Sequence, residues 1–142
     1  MPGTGKRLLI VEDQELVAMT IASIVRRLNY DLVGSAASAE RALELVDQHQ
    51  PHVVVMDLRL KGGRDGVETA RAIQARSSAR VVFLTGSGDV ESIARMRSVQ
   101  PAGIVLKPFL RVDLQRQLAA AAADMPQPAR IVDGGHAKMM EF

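Results

Sequence analysis

Short apolar runs alternate with stretches of helical periodicity along most of the chain. The runs cover residues 8–11, 31–35, 53–56, 80–84 and 103–106, and their content of valine and isoleucine favours strands. Between them, apolar residues recur every three or four positions, as in Val17, Ile21 and Val25, which predicts amphipathic helices. Five strands that alternate with five helices over short connections imply right-handed crossovers. We therefore predict an α/β fold, a three-layer αβα sandwich around a five-stranded parallel sheet.

The pattern changes near the C-terminus. From Asp124 onward the helical periodicity stops, Pro126 and Pro128 intervene, and Ile131 and Val132 are the only apolar pair before two glycines. We expect one domain over residues 6–122, without repeats, followed by a C-terminal tail over residues 123–142. The tail is expected to be flexible because chain ends fray, or else to pack as an arm on a second subunit.

Composition narrows the class of protein. The 142 residues are 47% hydrophobic and 24% charged, which is typical of one soluble globular domain. The absence of cysteine excludes disulfides and thiolate chemistry, and the apolar runs are too short for a membrane span or a signal peptide. We therefore expect a cytoplasmic protein without a membrane partner. The formal charge of +2 arises from interspersed acids and bases, so we expect no nucleic-acid partner either.

Polar and charged residues follow four of the predicted strands. Glu12 and Asp13 follow the first strand, Asp57 the third, Thr85 the fourth and Lys107 the fifth. In a parallel sheet these strand ends share one edge, and α/β proteins bind their ligands there. Each of these residue types is common in turns, but their convergence on one edge favours a functional site.

The chemistry of this set indicates phosphoryl transfer. Three neighbouring carboxylates repel one another unless a cation joins them, and oxygen ligands without His or Cys nearby favour Mg²⁺. Lys107 can pair with one phosphoryl oxygen, and Thr85 can donate a hydrogen bond to another. Asp57 is then the nucleophile that forms an aspartyl phosphate.

These residues stand in motifs that resemble the receiver domains of two-component response regulators, of which the chemotaxis regulator is the simplest member. The motifs are Val11-Glu12-Asp13, Met56-Asp57, Asp65-Gly66, Leu84-Thr85-Gly86 and Lys107-Pro108-Phe109. The resemblance covers residues 6–122 and implies a flavodoxin-like sheet with the strand order 2-1-3-4-5. It also implies that Asp57 is the phosphoacceptor. The donor would be a phosphohistidine on a sensor histidine kinase or on a histidine phosphotransfer protein.

The resemblance implies a ligand set for Mg²⁺. Asp13 and Asp57 would bind the ion directly, together with the backbone carbonyl of Arg59. Glu12 would act through a water molecule.

The resemblance also implies how the phosphoryl group is held. Thr85 would be the switch hydroxyl, Gly86 would leave access to the phosphoryl group, and Lys107 would pair with it. The bond between Lys107 and Pro108 is a candidate for the cis form.

Several positions depart from the common receiver pattern. Ile104 stands where many receivers have an aromatic switch residue, three places before the lysine. Lys61 stands where a proline is common, and Gly62 and Gly63 move the next acidic residue, Asp65, one place later than in the chemotaxis regulator. Together with the sequence Phe83-Leu84-Thr85-Gly86, these features resemble the receiver subgroup paired with HWE-type kinases.

The sequence therefore predicts a stand-alone phosphoryl-accepting switch, and no enzyme beyond its own phosphorylation and dephosphorylation. Its output would be a downstream protein, which the sequence does not identify, a homodimer through the fourth helix, fifth strand and fifth helix, or a role as phosphate sink in a relay. Arginines in or near these elements would form ion pairs across the dimer or would face solvent: Arg95, Arg97, Arg111 and Arg116.

Three alternatives remain open. A receiver-like adaptor that works without phosphorylation would show loss of Asp57, Lys107 or the acidic pair, and none of these is lost. An aspartyl-phosphate phosphatase typically carries a second Asp two residues after the nucleophile, where this chain has Arg59. A flavin-binding module would need aromatic residues around the ring, whereas the chain has one Tyr, three Phe and no Trp.

Overall fold

The computed structural model describes residues 5–123, 130–133 and 136–139. Five strands alternate with five helices, as the sequence predicted. The strands are β1 (Arg7–Val11), β2 (Asp31–Ala36), β3 (Val53–Met56), β4 (Arg80–Thr85) and β5 (Gly103–Leu106). The helices that follow them in turn are α1 (Glu15–Arg27), α2 (Ala39–His49), α3 (Gly66–Gln74), α4 (Val90–Arg97) and α5 (Arg111–Ala122).

These strands form one parallel sheet in the order β2-β1-β3-β4-β5, which confirms the predicted order. β3 lies between β1 and β4, with Val54 opposite Leu9 on one side and Val81 on the other. Helices cover both faces of such a sheet, which explains why every residue of β3 is apolar and buried. The predicted αβα sandwich is therefore confirmed.

Alternate side chains of the strands enter two separate apolar cores. Leu9 and Phe83 belong to the core that packs against α2, α3 and α4. Ile10 and Val82 belong to the core that packs against α1 and α5. Both cores pack along the parallel sheet, and the C-terminal ends of its strands lie at the edge that carries the predicted site. No helix in the described part of the chain is long and apolar enough to cross a membrane.

Two further strands, which the sequence analysis did not predict, extend the sheet beyond β5. They are β6 (Arg130–Asp133), parallel to β5, and β7 (His136–Met139), antiparallel to β6. Their sequence contains one adjacent β-branched pair, Ile131 and Val132, which is too short a pattern to distinguish a strand from a chain end. Both strands fall within the predicted tail, and residues 124–129 of that tail lie outside the described residues. The edge of β5, which belongs to the predicted dimer surface, is paired with the chain's own β6.

Polar side chains define the starts of three helices. Ser38 accepts a hydrogen bond from the N–H of Arg41 and caps α2, as the sequence predicted. Asp65 caps α3 in a capping box, because its carboxylate accepts from the N–H of Glu68 and the Glu68 carboxylate accepts from the N–H of Asp65. Asp89 caps α4 through its side chain. These contacts satisfy N–H groups that a helix leaves unpaired.

The start of α3 packs directly on the backbone of Asp57. The N–H of Gly66 donates to the carbonyl oxygen of Leu58 at 2.7 Å. A Cβ atom at position 66 would lie well inside van der Waals contact with the carbonyl oxygen of Asp57. Only glycine permits this approach, so the Asp65-Gly66 pair fixes the first turn of α3 against the residue that follows β3.

We predict that Gly66→Ala lowers the free energy of unfolding by about 2–3 kcal/mol, because the added methyl group collides with backbone atoms that cannot move aside. Urea denaturation measures this loss. Gly63→Ala is the matched control, since a Cβ there meets nothing within 4 Å, and its effect is expected to stay within about 0.5 kcal/mol. Equal losses in the two variants would contradict the proposed contact.

Candidate functional site

The carboxyl ends of four strands bring the predicted site residues to one edge of the sheet. The N–H of Asp57 donates to the carbonyl oxygen of Val11 at 2.9 Å, which continues the pairing of β3 with β1. The N–H of Lys107 donates to the carbonyl oxygen of Thr85 at 2.9 Å, which continues the pairing of β5 with β4. Backbone hydrogen bonds of the sheet thus place Asp57 and Lys107, and neither depends on a long loop.

Three carboxylates form a compact acidic cluster. One oxygen each of Glu12, Asp13 and Asp57 lies within 4.8 Å of the other two. Glu12 and Asp57 are only 3% and 7% exposed. Backbone N–H groups stabilise two of the carboxylates, since Leu58 donates to Asp57 Oδ1 at 2.7 Å and Gln14 donates to Glu12 Oε2 at 3.3 Å. The sequence prediction that these three acids converge is correct.

The ammonium group of Lys107 bridges two of these acids. Its Nζ donates to Glu12 Oε1 at 2.8 Å and lies 3.3 Å from Asp57 Oδ2. The bond between Lys107 and Pro108 is cis, as predicted. One positive charge therefore faces three carboxyl groups, which leaves the cluster with fewer cations than acids.

Burial and the neighbouring charges affect the protonation of the site. Burial, with a smaller contribution from Asp57, raises the pKa of Glu12 to about 7 against the lowering effect of the Lys107 hydrogen bond. Burial lowers the pKa of Lys107, but its contacts with Glu12 and Asp57 outweigh burial and hold that pKa above its ordinary value. The ammonium therefore stays charged at neutral pH, and Glu12 holds a proton more tightly than an ordinary glutamate does.

The donor set fits a small divalent cation. The three acids offer carboxylate oxygens, which are the ligands that Mg²⁺ prefers. Within the described residues, these three side chains lie close enough together to hold an ion. Three acids share one ammonium, so a cation would offset the remaining negative charge. The ligands that the resemblance implies, Glu12, Asp13 and Asp57, are therefore suitably placed for such an ion.

The remaining predicted residues border this cluster or lie behind it. Thr85 is buried at the end of β4, and its Oγ1 accepts a hydrogen bond from the N–H of Ser87 at 3.2 Å. Gly86 is exposed, and a Cβ there would meet nothing within 4 Å. Arg59 is exposed two residues after Asp57. Ile104 is fully buried in the core that packs against α4, so this position lies in the interior of the domain.

Sequence reasoning missed an ion pair next to the site. Arg95, predicted to pair across a dimer or to face solvent, lies with Nη1 2.6 Å from Oδ2 of Asp65 in the same chain. Partial burial opposes a low pKa for Asp65, but the hydrogen bond from Arg95 and the N–H of Glu68 hold it below its ordinary range. The sequence does show a capping box from Asp65 to Glu68, but a partner 30 positions away along the chain has no local signal.

We predict that Glu12→Gln flattens the pH dependence of stability of the metal-free protein. The pKa of Glu12 is about 7 in the folded chain and about 4.5 when unfolded, so the folded state binds the proton more tightly. The free energy of unfolding therefore falls as the pH rises from about 4.5 through 7, by up to about 3 kcal/mol for this group, and Gln removes that loss. Urea denaturation in EDTA across this range measures it, and parallel pH profiles for the two proteins would contradict it.

Comparisons with known proteins agree with the geometry of the fold and of the site. The profile of the response regulator receiver domain family matches residues 8–119. The transcriptional regulatory protein PdtaR of Mycobacterium tuberculosis is 34% identical over 109 residues, which are 77% of this chain and 53% of PdtaR. The chain thus spans about half the length of that relative.

Two solved structures are similar over most of the chain. The signal receiver domain of a modulated diguanylate cyclase from Desulfovibrio desulfuricans G20 has 34% identity and a TM-score of 0.77, covering 82% of this chain and 93% of that one. The N-terminal domain of a response regulator/sensory box/GGDEF protein from Carboxydothermus hydrogenoformans has 37% identity and a TM-score of 0.75, covering 82% and 94%. The strand order, the acidic edge and the matched span agree, and the chain belongs to the response regulator receiver domain family.

Proposed function

We propose that Asp57 accepts a phosphoryl group from a phosphohistidine, with Mg²⁺ at the acidic cluster, and that the chain thereby works as a switch in two-component signalling. The observation that carries this proposal is the surroundings of Asp57. Its carboxylate is 7% exposed, shares a cluster with Glu12 and Asp13, and lies 3.3 Å from the Lys107 ammonium. A buried nucleophile with paired acids and a cation suits transfer of a highly charged group.

In the proposed reaction, a carboxylate oxygen of Asp57 attacks the phosphorus atom of the phosphohistidine. A P–O bond forms as the P–N bond breaks, and the imidazole nitrogen takes up a proton as it leaves. Mg²⁺ held by Asp13, Asp57 and the carbonyl of Arg59, with Glu12 acting through water, would supply positive charge opposite the transferred group. Asp57 is already oriented for this step, since Leu58 donates to one of its oxygens and Lys107 to the other.

Lys107 and Thr85 are proposed to hold the phosphoryl group after transfer. The Lys107 ammonium is shared between two carboxylates, and it can exchange the Asp57 oxygen for a phosphoryl oxygen without leaving Glu12. The Thr85 hydroxyl accepts from the N–H of Ser87, which leaves its own hydrogen to donate. A hydrogen bond from Thr85 to the phosphoryl group would pull on residues 85–87 and so on the connection to α4.

The proposed donor is a sensor histidine kinase or a histidine phosphotransfer protein, because receiver domains in general interact with these proteins. Three features stay predictions: an HWE-type kinase as the donor, a homodimer through α4, β5 and α5, and a cytoplasmic location. Any dimer through the edge of β5 must accommodate β6, which is already paired there. We further propose that the chain catalyses only its own phosphorylation and dephosphorylation.

Two alternatives differ from this proposal at identifiable residues. A phosphatase with an aspartyl-phosphate intermediate needs a general acid near Asp57, whereas the residue two places on is the exposed Arg59. A receiver-like adaptor needs no nucleophile, and it would not need the paired acids around Lys107. The intact cluster supports the phosphorylated switch over both.

The direct test is intact-mass spectrometry after incubation with acetyl phosphate and Mg²⁺. We expect a gain of one phosphoryl group that requires Mg²⁺ and is lost in Asp57→Asn, because the amide is not a nucleophile for this transfer. Asp47→Asn is the matched control, since this exposed acid lies on α2 outside the acidic cluster and pairs with Arg76. A phosphoryl group that persists in Asp57→Asn would contradict the assignment of the phosphoacceptor.

A further inference from the structure

The ion pair between Arg95 and Asp65 joins α4 to the connection that follows the phosphoacceptor. The distance from Arg95 Nη1 to Asp65 Oδ2 is 2.6 Å, and the two side chains are 43% and 28% exposed. The pair is therefore partly shielded from water. Residues 58–65, which we call the acceptor loop, run from Asp57 to this contact.

Asp65 uses its two carboxylate oxygens for two different elements. Oδ1 accepts the N–H of Glu68 at 3.0 Å and so caps α3, whereas Oδ2 contacts Arg95 on α4. The hydroxyl of Thr69 also donates to the carbonyl oxygen of Asp65 at 2.7 Å. Because residue 65 is held from both sides, a displacement of the end of the acceptor loop acts on both helices.

Asp65 is also tied to the phosphoacceptor itself. The next residue, Gly66, donates its N–H to Leu58 at 2.7 Å and packs without space for a side chain against the carbonyl group of Asp57. Consecutive contacts therefore lead from the Asp57 backbone through Gly66 and Asp65 to Arg95. Each of them is a direct contact within the described residues.

Two neutral hydrogen bonds link α3 to the residues just after α4. Arg71 Nη2 donates to Ser98 Oγ at 2.9 Å, and Gln74 Nε2 donates to the carbonyl oxygen of Val99 at 2.8 Å. At the other end, Val90 is 87% exposed. The Arg95 ion pair lies in the last turn of α4, and among these polar contacts it is the one made to the end of the acceptor loop.

We propose that the Asp65–Arg95 ion pair is a positioning contact that makes the acceptor loop and α4 move as one unit, so that a change at Asp57 reaches the surface of α4. The part of this proposal that concerns transmission of a phosphorylation signal rests on the proposed function. The part that concerns the connection between the acceptor loop and α4 is independent of that function, and it can be measured in the metal-free protein.

The test is hydrogen–deuterium exchange of the full chain, followed by mass spectrometry of peptides from the acceptor loop and from α4. Arg95→Gln removes the charge and leaves the capping box of Asp65 intact. Arg76→Gln is the matched control, because Arg76 is also 43% exposed and pairs with Asp47 at 3.1 Å, where it joins α2 to the end of α3 away from the acceptor loop. Arg95→Lys keeps the charge and is the conservative variant.

In metal-free buffer we expect Arg95→Gln to speed exchange in both the acceptor loop and α4 by roughly two- to fivefold, the range for a partly exposed ion pair. Arg76→Gln should change neither peptide, and Arg95→Lys should restore most of the protection. Faster exchange in α4 alone, with the acceptor loop unchanged, would overturn the proposal because the contact would then be local to the helix.

Beryllofluoride and Mg²⁺ test the transmission, with ¹⁹F NMR to show whether beryllofluoride binds. In the natural chain we expect beryllofluoride to alter exchange in α4, and we expect Arg95→Gln to lose more than half of that change while it still binds beryllofluoride. An undiminished change in Arg95→Gln would overturn the transmission. If the natural chain binds no beryllofluoride, the proposed function fails, and the metal-free measurement still decides the positioning role.

Discussion

The shared ammonium of Lys107, between Glu12 and Asp57, is the interaction on which the site depends. Two carboxylates that are almost inaccessible to water are costly to bury unless a positive charge lies beside them. Lys107 provides that charge at 2.8 Å from one acid and 3.3 Å from the other. It reaches them because parallel pairing brings the C-terminal ends of β1, β3 and β5 to the same edge, so the topology of the sheet and the electrostatics of the site constrain each other.

The negative charge at this edge is not balanced by the protein's own side chains. Three acids face one ammonium, and burial and the neighbouring Asp57 raise the pKa of Glu12 to about 7. A proton on Glu12 partly offsets the excess negative charge, and a divalent cation would offset it more fully. The same surroundings that make the acids costly therefore favour a cation, and that cation would in turn offset the charge of a phosphoryl group. α3, packed on Asp57 through Gly66, keeps the nucleophile in place.

The central sheet and most of the site were predictable because their signals are local. β-branched runs identified β1, β3 and β4, and the residues after them identified Glu12, Asp13 and Asp57. β6 and β7 were missed because each has only four residues and little apolar sequence, which periodicity does not distinguish from a chain end. The Asp65–Arg95 pair was missed for another reason. It depends on how α4 packs beside α3, which no periodicity encodes, and so the sequence alone could place Arg95 only at a surface.

The crystal structure of the chain with Mg²⁺ and beryllofluoride tests the central claim most directly, because it locates the metal and the phosphoryl mimic in one experiment. The account predicts a beryllium–oxygen bond at Asp57, a metal ion bound by Asp13 and Asp57, and the Lys107 ammonium on a fluorine of the mimic. If both ligands are absent from this edge at saturating concentrations, and Lys107 still bridges Glu12 and Asp57, the assignment of a phosphoryl-accepting site is wrong.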